Sequence, residues 1–173
     1  MRLAFIGLCI FTAACSGQPF SPTSPSGVAG VGAQTQASSG APIEVTFTKW
    51  GTGAPGMFTG VTGGDVPGMF VGTVLSSDPF ENGTIVQLEA RYEVTGDADP
   101  THSFKAHIEG KRNVPTQHAV LNGTVIEGWL VGTQVQVTFD VIAAQAGISC
   151  VPQAPVNRTC FQGTIRILPG SAN

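Results

Sequence analysis

Charge is what this chain has least of. Only 11% of its 173 residues are Asp, Glu, Lys or Arg, and acidic residues outnumber basic ones 11 to 8. Proteins that hold phosphate backbones need a basic stripe, so this balance excludes nucleic acid as a partner. Long apolar runs are missing too: the run from Leu3 to Phe11 covers nine residues, about half of what a helix needs to cross a bilayer. Histidine occurs only three times, at His102, His107 and His118. There is no Gly-x-Ser-x-Gly elbow, no His-Glu-x-x-His pair and no phosphate-cradling glycine loop. The chain therefore carries no catalytic motif, and no cofactor or metal is implied.

The front of the chain is organised as an address. Met1-Arg2 supplies a short basic start, Leu3 to Phe11 an apolar run, and Thr12-Ala13-Ala14 small residues just before Cys15. That order is the secretory signal pattern. With Ala13, Ala14 and Cys15 in place, and Thr12 where leucine is usual, the segment resembles a bacterial lipoprotein signal peptide. The resemblance covers the first tenth of the chain. It implies removal of residues 1–14, lipidation of Cys15 and a membrane partner reached through that anchor. Ser16 directly after the cysteine resembles the outer-membrane sorting pattern of Gram-negative lipoproteins.

Residues 15–42 read as a flexible linker. From Ser16 to Pro42 there is no charged residue, and Phe20, Val28 and Val31 are the only larger apolar side chains. Such a composition buries too little apolar surface to offset the entropy of ordering. As a flexible chain it would reach about 30 Å on average, enough to hold a domain clear of a membrane. Cysteine usage agrees with export. Cys9 lies in the signal run and Cys15 is the acyl site, which leaves Cys150 and Cys160 as a pair. An even remainder of two in an exported domain predicts a disulfide, contributing about 3 kcal/mol across a loop this short.

Residues 43–173 form one domain, and its pattern is that of strands. Val86, Leu88, Ala90, Tyr92 and Val94 alternate with Gln87, Glu89, Arg91 and Glu93. Phe104, Ala106 and Ile108 alternate with Lys105, His107 and Glu109, and Val135, Val137, Phe139 and Val141 with Gln134, Gln136, Thr138 and Asp140. Ile43, Val45 and Phe47 open a first strand; Phe161, Ile165 and Ile167 mark the last. Period-two alternation with one wet face predicts antiparallel sheet. Asp78-Pro79, Glu81-Asn82-Gly83 and Gly96 to Pro100 supply turn chemistry. The predicted fold is all-β: an antiparallel β-sandwich or open barrel of about seven strands.

Glycine recurs in the pattern large apolar, any, Gly, Thr, Val/Ile at Phe70–Val74, Leu121–Val125 and Phe161–Ile165. A glycine inside a strand marks a bulge, a bend or a gap under a neighbouring aromatic. The glycine-rich stretch from Gly51 to Gly68 reads as a loop folding over a sheet end or meeting a partner. Trp50, Met57 and Phe58 in and beside it are candidate contact residues. Trp129 is either a core anchor or a stacking platform, with the core preferred.

The expected function is a membrane-tethered module of the cell envelope, structural or binding an envelope protein or saccharide. Two other readings stay open. One is an envelope hydrolase or metal-dependent enzyme using His107 with Glu109, or His102 with the Asp97–Asp99 turn. The other is a carrier of a hydrophobic ligand inside a barrel.

Overall fold

The computed structural model describes residues 40–170; the signal peptide (1–14), Cys15 and nearly all of the linker (15–42) lie outside them. Eight antiparallel strands follow in chain order: β1 (Ile43–Gly51), β2 (Met57–Gly64), β3 (Gly68–Phe80), β4 (Ile85–Gly96), β5 (Phe104–Asn113), β6 (His118–Gly128), β7 (Gln134–Ile142) and β8 (Cys160–Leu168). Each strand pairs with the next, and β8 pairs back onto β1, with Val45 opposite Ile165 and Ile43 opposite Ile167. The sheet is thus a closed up-and-down barrel, without a free edge.

Alternation decides which side chains fill it. The positions read as apolar in the sequence point inward, and Val45, Phe70, Val94, Phe104, Ile108, Leu121, Val137, Ile165 and Ile167 are 0–2% exposed. They form one continuous core. Outward positions carry Glu89, Glu93, Lys105 and Arg166, which make surface ion pairs with His107, Lys105, Glu127 and Glu44.

Strand number and closure go beyond what periodicity revealed. The extra strand is β2, inside the glycine-rich stretch that reads as a loop. Its composition conceals it because Gly60 is required by close packing: a Cβ there would lie 2.3 Å from the Thr48 carbonyl oxygen. Gly163 in β8 is similar, 2.0 Å from the Thr138 carbonyl oxygen. These glycines allow backbones to cross closely as the sheet coils on itself. The bulges fall elsewhere, between Val74 and Ser76 and between Lys105 and Ala106.

The two ends of the barrel differ. Where β2–β3, β4–β5 and β6–β7 connect, Val66, Val94 and Phe104 fill the interior, and Trp129 and Leu130 pack against them. At the other end the β7–β8 connection, residues 143–159, is held by the Cys150–Cys160 disulfide. Trp50, on the outer side of β1, packs with Ala154, Cys160 and Val151 beneath it.

Candidate functional site

The same alternation that builds the core carries a lysine into it. In β1 the inward series Ile43, Val45, Phe47 continues to Lys49, which is 3% exposed. Its Nζ donates to the Tyr92 hydroxyl on β4. Six aromatic rings surround that nitrogen, with centroids at 4.3 Å for Tyr92, 4.5 Å for Phe139, 5.1 Å for Phe58 and 5.6 Å for Phe47, Phe70 and Phe161. Among the described residues no carboxylate pairs with it. Desolvation alone pulls the Lys49 amine from 10.5 to about 7, so it is half protonated near neutral pH. Burial likewise pushes the Tyr92 phenol up, which keeps it protonated.

Beside this pair lies a cavity of about 290 Å³, at the end where β1–β2, β3–β4, β5–β6 and β7–β8 connect. Phe58, Leu88, Leu121, Phe139 and Phe161 make its walls largely apolar, and Lys49, Tyr92 and Arg112 bring polar groups to it. Arg112 arrives as Lys49 does: in β5 the inward series Phe104, Ala106, Ile108, Gly110 continues to Arg112. Its Nε is buried and donates to nothing, alone among the buried side-chain polar atoms of the described residues. A buried donor left unmade costs about 1–3 kcal/mol, so such a group marks a place where an acceptor is missing. Wider hollows, such as one of about 420 Å³ around His118 and Val120, lie open on the outer surface.

Of the four contact residues expected from the sequence, only Phe58 reaches this cavity. Met57, its neighbour, faces outward and is 42% exposed. Trp50 is 7% exposed under the disulfide loop, so it anchors that loop and offers no surface to a partner. Trp129 packs against the core at the far end and stacks on His102, ring centroids 4.1 Å apart. Cys150 and Cys160 are bonded; Cys15 lies outside the described residues.

The histidines do not converge. His107 pairs across the sheet with Glu89 at 2.8 Å instead of with Glu109 on its own strand. His118 pairs with Asp140 at 2.8 Å, and His102 sits 3.6 Å from Asp99. All three are about two-fifths exposed on the outside. Asp99 uses its carboxylate to hold the Thr101 side chain and backbone, which keeps its pKa low. Among the described residues no three His, Cys, Asp or Glu side chains gather as a metal site would require.

Comparison with protein-family models, curated proteins and solved structures gives no match to this chain. The cavity therefore has to be read from its own chemistry. Lys49 and Arg112 were absent from the sequence-based candidates, yet a signal existed: each is a cation in the inward phase of an otherwise apolar strand face.

Proposed function

We propose that this protein binds and carries a small, largely apolar molecule bearing one oxygen acceptor, held inside the barrel beside Lys49, Tyr92 and Arg112. The observation that carries the reading is the unpartnered Arg112 Nε–H buried at an apolar cavity. Eight-stranded barrels have interiors just wide enough to hold one small ligand. Apolar walls with a few converging polar groups are the usual make-up of a ligand pocket. At ~30 Å³ per water in the liquid, the cavity has room for about ten heavy atoms. A site of that size, lined by inward-facing side chains, favours a small molecule over a protein or saccharide gripped by surface loops.

Export belongs to the same proposal. The order of residues in Met1–Cys15, the charge-free linker and the disulfide support a lipoprotein anchored through Cys15 in the cell envelope, in the outer membrane of a Gram-negative cell. Mass spectrometry of the mature N-terminus should find an acylated Cys15; a chain beginning at Met1 refutes the anchor.

The test of binding uses 3-phenylpropan-1-ol, ten heavy atoms with one hydroxyl. Calorimetry should detect binding to the purified protein and a rise in its melting temperature. Leu88→Trp, which fills the cavity from β4, should abolish both. Equal affinity in the parent and the variant places the ligand outside the barrel and overturns the reading.

A further inference from the structure

Lys49 is a costly residue to keep where it is. Methionine would fill the same volume without a desolvation penalty, and Tyr92 alone is a weak partner for a buried ammonium. The chain has three lysines. Lys105 is paired with Glu127 at 2.9 Å, which holds its proton more tightly than usual, and Lys111 lies exposed over the Phe80 ring. Only Lys49 is buried, borders a cavity and has no carboxylate beside it. A desolvated amine that is about half neutral at physiological pH is a nucleophile toward carbonyl carbon.

The geometry around it suits that reaction. Lys49 Nζ donates an N–H to the Tyr92 hydroxyl, which leaves the lone pair of the neutral amine free for another partner. Arg112 Nε offers a donor in the same cavity that no group among the described residues uses. We infer that the ligand is a small apolar aldehyde, held as an imine on Lys49 Nζ with Tyr92 as the adjacent proton carrier. This inference rests on the ligand-binding reading above and narrows it to one chemical class.

The step balances without any oxidant or reductant. The Lys49 nitrogen lone pair forms an N–C bond to the carbonyl carbon as the C=O π pair moves to oxygen. That oxygen takes one of the two protons now on the positively charged nitrogen and becomes the hydroxyl of a neutral carbinolamine, whose nitrogen keeps one N–H. The hydroxyl then departs as water, taking a proton from the Tyr92 O–H, while the nitrogen lone pair closes the C=N bond. The remaining N–H proton returns to Tyr92. One amine and one aldehyde become one imine and one water. Apolar walls help, because the water released meets an interior that retains little of it, and hydrolysis is slowed.

The experiment traps the bond. Purified protein is mixed at pH 7 with 3-phenylpropanal, reduced with sodium cyanoborohydride, digested and mapped by mass spectrometry. A single adduct on Lys49 is expected, forming at least about tenfold faster than on Lys105 or Lys111 and slowed by excess 3-phenylpropan-1-ol. Tyr92→Phe should slow trapping by about 100-fold at saturating aldehyde, the usual scale for a lost proton-transfer group, so that the loss lies in the rate of bond formation and not in affinity. Because the mapping is done on the parent protein, the result does not depend on Lys49→Met folding. If the alcohol binds but Lys49 stays unmodified, or all three lysines react alike, the imine is refuted and the cavity reading survives. If 3-phenylpropanoate binds more tightly than the aldehyde and no adduct forms, the ligand is an acid and the imine is again refuted. Failure of all three compounds to bind overturns both readings.

Discussion

Burying Lys49 has a consequence for stability that can be measured against pH. In the unfolded chain its amine titrates near 10.5; in the barrel it titrates near 7. At about 1.4 kcal/mol for each tenfold change in proton affinity, that difference is worth about 5 kcal/mol. The ring faces favour the ammonium, so about 5 kcal/mol is an upper bound. Between pH 7 and pH 10 the unfolded chain holds a proton that the folded chain has released, so the free energy of unfolding should rise with pH across that window. Tyr92, whose phenol is pushed up by burial, makes stability fall only once pH passes its unfolded value of 10. A maximum near pH 10 follows. Urea titrations of the parent and of Lys49→Met would read it. Methionine removes the pH-dependent penalty but leaves the Tyr92 hydroxyl unpaired, at about 1–3 kcal/mol. The variant should therefore be the more stable protein at pH 6 and the less stable one at pH 10. Parallel profiles for the two proteins would show that Lys49 is not desolvated and would refute the reasoning.

Two further expectations concern the frame around the site. Replacing Cys150 and Cys160 together by serine should cost about 2–4 kcal/mol in thermal melts and, in a Trp129→Phe background, shift the fluorescence of Trp50 to longer wavelength as residues 143–159 loosen. An unchanged spectrum would mean that the loop covers Trp50 without the bond. Gly60→Ala should destabilise the barrel by at least about 1–3 kcal/mol, because its Cβ would meet the Thr48 carbonyl and the Lys49 Cα, whereas Gly51→Ala has nothing within 4 Å and should be nearly neutral. Similar urea midpoints for the two alanine variants would refute the close strand crossing.

Much of the barrel is legible in the chain because alternation is a local property. Neighbouring residues in a strand must face opposite ways, so Val86 to Val94 or Gln134 to Val141 declare an inner and an outer side without knowledge of their partners. Glycine-rich β2 escapes this reading, since Gly60, Gly63 and Gly64 supply no side chain to show a phase. Lys49 and Arg112 are the instructive cases. Their inward phase is written in Ile43-x-Val45-x-Phe47-x-Lys49 and in Phe104-x-Ala106-x-Ile108-x-Gly110-x-Arg112. Composition argues against it, because cations belong in water.

By itself, then, the order of residues determined an antiparallel all-β body, its wet and dry faces, and the pairing of the two late cysteines. Tertiary structure alone decided that β8 returns to β1, which converts an open sheet into an enclosure. Closure brings together Lys49 from β1, Tyr92 from β4, Arg112 from β5 and Phe161 from β8, residues up to about a hundred positions apart that no local pattern connects. An amine and a guanidinium become unusual only once the wall around them is complete, because only then is water removed from one side of each.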